Sequence, residues 1–269
     1  MELTATQLEQ YENEGFLFLP GYFSSDEVAC LQAELPTTFA EESPRRILEK
    51  DGKTVRSVYG SHLTNPVFNS LGVNDRLVGP AMQIIGTPVY IHQFKINAKL
   101  GLQGDVWEWH QDYVFWLKED GTLQPRMTNA VVFLDEVTEF NGPLLLIPGS
   151  HKEGVIDVPA KDEIPVEYRD NPSWISNLTA DLKYSLDKPT ISRLVKSTGI
   201  VAPKGPPGSL LFFHCNLCHS SSPNLSPFDR ALALITYNSV QNTPVAVGRP
   251  RPDFLCGRDF SPLAISARG

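Results

Sequence analysis

Short apolar runs closed by turn residues set the first limit on what this chain can become. They cover residues 89–97, 130–134, 144–147, 209–213 and 231–237, and several are bounded by Gly, Pro or Asn. Runs of this length and spacing describe a β-barrel or sandwich of the jelly-roll kind rather than a helical bundle. Asp51-Gly52 adds a hairpin between Ile47-Leu48-Glu49 and residues 54–58, because this dipeptide accepts the positive φ angles of a tight turn. Helices are expected beside the sheet. Thr6-Gln7-Leu8-Glu9 has capping-box spacing and opens one that Gly15 stops. Ser24-Ser25-Asp26-Glu27 opens a second through about Leu35, and a third runs from about Leu77 to Ile85. Between Gly154 and Pro207 the strand pattern gives way to polar, charged, Pro-containing sequence with one helix near residues 191–196. The expectation is one domain over residues 1–269, with a lid or substrate insertion at about 155–205.

Charge narrows the partners. The chain carries 23 Lys and Arg against 31 Asp and Glu, a net charge of −8, and its basic residues are scattered, so nucleic acid is not an expected partner. A 41% hydrophobic and 20% charged composition is that of a globular core. No apolar run approaches the roughly 20 residues that span a bilayer. Met1-Glu2-Leu3-Thr4 lacks the basic-then-apolar order of a secretory signal, so a soluble, cytoplasmic protein without a membrane partner is expected. Cys30, Cys215, Cys218 and Cys256 are too few and too uneven for a disulfide framework and read as thiols.

The chemistry concentrates in Trp107-Glu108-Trp109-His110-Gln111-Asp112-Tyr113-Val114-Phe115-Trp116. On an extended strand His110 and Asp112 would leave the same face while Gln111 points away, and an imidazole with a carboxylate suits Fe(II), Zn(II) or Mn(II). His-x-Asp alone is a common pair. His219, which follows the run 209–213, raises its meaning, and Arg230 opens the next apolar run. Two histidines and one carboxylate on one side of an ion form a facial triad with open coordination positions. A 2-oxo acid could chelate there, dioxygen could take the remaining position, and Arg230 could grip a distal carboxylate with its fork.

Together, His110-Gln111-Asp112, Asn141-Gly142-Pro143-Leu144, Pro148-Gly149-Ser150-His151 and His219 with Arg230 resemble the phytanoyl-CoA dioxygenase family of Fe(II)/2-oxoglutarate enzymes. The likeness runs from the N-terminal helix to the Arg-Pro segment at 249–252, apart from the variable stretch 160–200. Residues 47–56, 92–99 and 104–107 are similar to bacterial hydroxylases of free L-amino acids, the proline 4-hydroxylase and leucine 5-hydroxylase types. The resemblance implies a mainly β, double-stranded β-helix (a cupin-like jelly roll) with flanking helices. It also implies Fe(II), 2-oxoglutarate and O2 as cofactor and cosubstrates, and a small amino acid as substrate. The family's iron ligands match His110, Asp112 and His219, and its 2-oxoglutarate arginine matches Arg230. Gln93, Asn97, Trp107 and Ser221 match residues around the cosubstrate. Trp116 matches an aromatic wall for the substrate, and Arg251 an arginine that grips its carboxylate. Related halogenases replace the triad carboxylate with a small residue, so the retained Asp112 implies hydroxylation.

Other readings stand beside these. Cys215-Asn216-Leu217-Cys218-His219 fits the C-x-x-C-H haem-attachment pattern, although the export signal such attachment needs is missing; with His214 it could also form a zinc site, and the plain reading is two half-buried thiols. His151 reads as a hydrogen-bonded turn residue. Alternation along 92–99 sets Gln93, Lys95, Asn97 and Lys99 on one face and His92, Phe94, Ile96 and Ala98 on the other. Taken alone, the polar row reads as solvated surface; with the resemblance, as a pocket. Trp107, Trp109 and Trp116 are plain packing residues on the simplest view, and Arg251 a surface arginine. A catalytically silent jelly-roll metal-binding module is the reading from another class.

Overall fold

The protein is described from a computed structural model covering residues 2–161, 172 and 174–265. Its strands are β1 Phe16–Leu19, β2 Arg46–Leu48, β3 Val55–Tyr59, β4 Val89–Lys99, β5 Trp107–His110, β6 Met127–Phe133, β7 Leu144–Leu146, β8 Leu210–His214, β9 His219–Ser221 and β10 Arg230–Ser239. One sheet has the order β1-β8-β6-β10-β4-β3-β2 and the other β5-β9-β7, with all pairs antiparallel. This is the jelly-roll β-helix with flanking helices that the strand pattern predicts. The helices are α1 Ala5–Glu14, α2 Ser25–Ala33, α3 Leu35–Ala40, α4 Pro66–Gly72, α5 Asp75–Ile85, α6 Asp112–Phe115 and α7 Lys188–Thr198. None of the described helices is long and apolar enough to cross a membrane.

The continuous apolar runs have a two-sided cause. Ala130 and Val132 of β6, Leu210 and Phe212 of β8, and Ala231, Ala233 and Ile235 of β10 pack in one core with Val28, Leu31, Phe68 and Leu77 from the helices. Their alternates Val131, Phe133, Leu211, Phe213, Leu232 and Leu234 form a second core with Leu144 and Leu146 of the small sheet. A strand buried on both faces has no polar face to show. In β4, Phe94 and Ile96 join the first core, whereas Gln93, Lys95, Asn97 and Lys99 are buried on the other side. The polar row therefore faces the protein interior, and the surface reading is overturned. Alternation also breaks at His92: β10 pairs Thr236 with Gln93 and Tyr237 with Ile91, so His92 is the extra residue of a bulge. It leaves the Phe94 face and packs edge-on against Trp116 at 5.5 Å.

Two helix boundaries differ from the sequence reading. The first capping box is Thr4 with Gln7, whose side chains receive each other's backbone N–H at 3.2 and 2.9 Å. Gly15 ends α1 at φ 81°, and a Cβ there would sit 2.4 Å from His151 Nδ1. The second helix stops at Ala33, and α3 restarts at Leu35 with Pro36 in its first turn, where its lost N–H costs little. Of the segment 155–205, residues 162–171 and 173 lie outside the described residues; the remainder carries a 3-10 turn at Ile175–Asn177 and α7.

Two half-buried histidines tie this frame to pH. His214 Nδ1 accepts the Asn216 N–H at 3.0 Å, and burial, reinforced by His151, pushes its pKa down to about 4. Burial likewise pushes His62 down to about 4, where it stacks on Phe94 at 5.2 Å. Both lie below the ordinary 6.5, so their contribution is present at neutral pH and is lost as pH falls through 6.5 toward 4. We expect urea unfolding to show a loss of at most roughly 3 kcal/mol per histidine across that window. His62→Phe should flatten the slope, and an identical slope in that variant would contradict the assignment.

Candidate active site

His110 closes β5 and His219 opens β9, and the two are direct cross-strand partners. The strand does not continue to Asp112 as the sequence suggests. Gln111 turns away from the triad and stays buried, donating to the carbonyls of Gly154 and Asn216 at 2.8 and 2.7 Å and accepting the Ile156 N–H at 2.9 Å. Asp112 then begins the helical turn α6, which brings its carboxylate back toward the histidines. His110 Nε2 lies 3.5 Å and His219 Nε2 3.7 Å from the Asp112 oxygens. One donor atom from each of the three buried residues falls within 4.8 Å of the others.

The surrounding bonds set the protonation of these donors. His110 Nδ1 donates to the Glu108 carbonyl at 2.6 Å and His219 Nδ1 to the Leu217 carbonyl at 2.9 Å, so in the neutral rings both lone pairs are on Nε2. Burial, reinforced by His110, pushes the His219 pKa down to about 4 against the pull of Asp112. Burial opposes the ionisation of Asp112, yet Lys95, His219 and His110 outweigh it and hold the carboxyl well below its usual range. Asn129 Nδ2 donates to Asp112 at 2.9 Å, and Thr236 Oγ1 donates to Asn129 Oδ1 at 2.7 Å, which orients both amide and carboxylate. Two imidazole lone pairs and a carboxylate converging in a buried space form a donor set that fits a divalent cation.

Beside the triad lies a narrow cavity of about 30 Å³ whose walls include Gln93, Trp107, Trp116 and Arg251. Tyr59, Lys95, Asn177 and Leu178 complete the polar and inner sides; apart from Lys95, the sequence reading did not single these out. Arg56 lies 3.7 Å over the Trp107 ring and donates to Glu49, Val106 and the Leu178 carbonyl, fastening this wall. Asn97, Ser221 and Arg230 are buried but are not among the residues lining this cavity. Ser221 is the cross-strand partner of Trp107, and Arg230 that of Lys99. The Asn97 Oδ1 has no hydrogen-bond partner among the described residues.

Arg230 is 2% exposed and donates to the carbonyls of Asn141 and Gly142, with no ion pair among the described residues. Burial pushes its pKa down to about 9, against the attraction of Asp135, so it remains a cation at neutral pH. Gly142 is at φ 77°, and a Cβ there would meet the Ser222 carbonyl at 2.7 Å, so the carbonyl that receives Arg230 rests on a turn reserved for glycine. A buried cation held only by carbonyls fits a carboxylate ligand.

Arg251 has a partner that the sequence reading missed. Its Nε and Nη2 donate to the two Asp120 oxygens at 2.7 and 2.6 Å, while Nη1 has no acceptor among the described residues. His92 Nε2 reaches Asp120 at 3.2 Å. Nothing in the local run Lys118-Glu119-Asp120-Gly121 separates Asp120 from an ordinary surface acid. His92, Asp120 and Cys256 also lie close enough to share an ion, but the Arg251 guanidinium holds both Asp120 oxygens. Cys215 and Cys218 are fully rather than half buried, burial raises both thiol pKa values, and no metal-binding group among the described residues includes either. The zinc reading therefore lacks its donors. His151 is the turn residue expected, with Nε2 donating to the Glu12 carbonyl at 3.0 Å. Asp120→Asn should lower unfolding free energy by about 3 kcal/mol, because it leaves a buried guanidinium uncompensated; an unchanged urea midpoint would show that the pair contributes little.

Comparison with known proteins places nearly the whole chain among relatives of one family. The family model described as phytanoyl-CoA dioxygenase (PhyH) matches residues 11–232. An L-proline trans-4-hydroxylase of Streptomyces griseoviridis is 38% identical over 255 residues, covering 94% of this chain and 92% of that protein. An ectoine dioxygenase of Sphingopyxis alaskensis is 35% identical over 263 residues, covering 95% and 83%. The crystal structure of EctD from S. alaskensis with 2-oxoglutarate and 5-hydroxyectoine superposes with a TM-score of 0.82 at 33% identity, covering 99% of this chain and 88% of that one. EctD with bound Fe gives 0.80 at 32% identity, covering 98% and 87%.

Proposed function

The chain belongs to the phytanoyl-CoA dioxygenase family of 2-oxoglutarate-dependent non-haem iron dioxygenases, and from that premise we propose that it hydroxylates an unactivated carbon of a free L-amino acid, leucine- or proline-like, with release of succinate and CO2. The observation that carries the substrate class is Arg251: a buried guanidinium with one unpaired nitrogen lines the same cavity as His110 and Asp112. A carboxylate bound there leaves an aliphatic side chain to extend past Trp116 toward the triad. The likeness to ectoine dioxygenases favours a second reading, another small amino-acid-like solute in the same cavity.

In this reading His110, Asp112 and His219 hold Fe(II), and Arg230 grips the distal carboxylate of 2-oxoglutarate with Gln93, Asn97, Trp107 and Ser221 around it. Iron, 2-oxoglutarate and O2 together supply the oxidising power that replaces C–H by C–OH, with 2-oxoglutarate becoming succinate and CO2. The protein supplies position. The Glu108 and Leu217 carbonyls hold the two Nδ1–H groups and so orient both rings with Nε2 toward the site, Asn129 aims Asp112, and Lys95, 3.9 Å from Asp112, offsets its negative charge. Trp116, 2% exposed, gives the substrate a rigid wall.

Purified protein with Fe(II), 2-oxoglutarate and a panel of common L-amino acids plus ectoine should release succinate with one class of substrate and yield a product one oxygen heavier by mass spectrometry. Full metal loading without turnover of any member would favour the silent module instead. Asp112→Ala should weaken Fe(II) binding by orders of magnitude and abolish hydroxylation, and normal turnover would remove the carboxylate from the triad. Arg230→Leu should raise the 2-oxoglutarate KM by orders of magnitude while sparing Fe(II) affinity, since a dicarboxylate would be buried without its counter-charge; an unchanged KM would tell against that role.

A further inference from the structure

Asn177 is an anomaly in the wall of the cavity. It is 4% exposed, yet neither its Oδ1 nor its Nδ2 has a hydrogen-bond partner among the described residues. Most buried side-chain amides find a partner, because an unpaired donor or acceptor forfeits its hydration, and among the described residues Asn177 is the one whose amide is unpaired at both atoms. Its backbone, by contrast, is well fixed. Asn177 closes the 3-10 turn Ile175–Asn177, its N–H donates to the Trp174 carbonyl at 3.2 Å, and the next residue, Leu178, packs with Ile47, Tyr59 and Leu255 while its carbonyl receives Arg56 at 3.1 Å. The amide thus sits on an anchored turn, and it lines the same cavity as Trp116, Arg251 and the triad residues His110 and Asp112.

The charges around that cavity say what such an amide can recognise. Asp112 is the one carboxylate among its lining residues, and it belongs to the triad. Asp120, behind Arg251, has both oxygens committed to that guanidinium. A substrate ammonium entering here therefore finds no spare carboxylate and must be received by neutral oxygens. An α-amino acid carries a donor and an acceptor on one carbon, the complement of an amide's acceptor and donor.

We propose that Asn177 reads the head group of the substrate, its Oδ1 accepting from the α-ammonium and its Nδ2 donating to the α-carboxylate beside Arg251. This rests on the amino-acid reading above and assigns the insertion a specificity-determining residue. The group discriminates against carboxylic acids that lack the amine, because such ligands leave the buried Oδ1 unpaired.

The test compares wild type with Asn177→Leu and Asn177→Asp. Two probe pairs serve: L-leucine with 4-methylpentanoate, and L-proline with cyclopentanecarboxylate. Binding is read by anaerobic calorimetry with Fe(II) and 2-oxoglutarate, and KM by succinate release. Wild type should prefer the amino acid of at least one pair by tenfold or more. In Asn177→Leu its KM should rise at least tenfold and the preference collapse, with the 2-oxoglutarate KM within about twofold of wild type. The thermal midpoint without ligand should be equal or higher, since two unpaired polar atoms are removed. Asn177→Asp keeps an acceptor for the ammonium and repels the carboxylate, so the preference should persist or grow as overall affinity falls. Unchanged KM and preference in Asn177→Leu, or equal preference in both variants, would overturn the role and leave the amino-acid hydroxylase reading standing. Wild-type protein that neither binds nor turns over any amino acid would overturn both.

Discussion

The register between β5 and β9 is the constraint on which the site depends. It sets His110 directly opposite His219. Side chains alternate along a strand, so a slip of one residue would send one imidazole to the opposite face and leave no shared point for an ion. Local bonds hold the arrangement. The Glu108 and Leu217 carbonyls lock the two rings, and Gln111 pins the strand end to the backbone at Gly154, Ile156 and Asn216. Behind them Leu146 of β7, which neighbours His219 across the sheet, is fully buried in the core shared with β6, β8 and β10.

Charge inside the barrel follows a consistent logic. Arg56 is paired with Glu49, and Arg251 with Asp120, at hydrogen-bonding distance in the interior. Lys95 stands near Asp112 but at a looser 3.9 Å. Arg230 alone among these cations has carbonyls rather than a carboxylate against it. Leaving a guanidinium dry and unpaired is costly, which is why Arg230 suits a ligand that brings its own carboxylate. The family's use of 2-oxoglutarate supplies such a ligand. Arg251 sits between the two situations, with its fork filled and one nitrogen left over. The result is a cavity whose cation is fixed in place before any substrate arrives.

Much of this was legible in the residues. The apolar runs at 130–134, 209–213 and 231–237 marked the sheet, and their lack of alternation reports a sheet covered on both faces. His110, Asp112 and His219 stood out because their donor types suit one ion, and the structure brings them together. Local signals failed where geometry departs from a regular element. Asp112 lies on a helical turn rather than a strand, His92 sits on a bulge, and the first helix cap is Thr4 rather than Thr6. Lys95 and Asn97, taken by themselves, read as surface and proved interior, since alternation says which residues share a face and not where that face points.

The sequence by itself determined the periodicities, the chemical types of the donors and the order in which they occur along the chain, because these are properties of neighbouring residues. Only the tertiary structure decided that the polar face of β4 turns inward, that Asp120 neutralises Arg251, and that the Asn177 amide, without a partner among the described residues, lines the same cavity as His110 and Asp112. Asp120 and Arg251 stand 131 residues apart, and Asn177 belongs to a stretch with no strand pattern of its own. Their meaning comes from which charges and amides end up sharing a space sealed from water, where an unpaired group is expensive, and no local run of residues encodes that proximity.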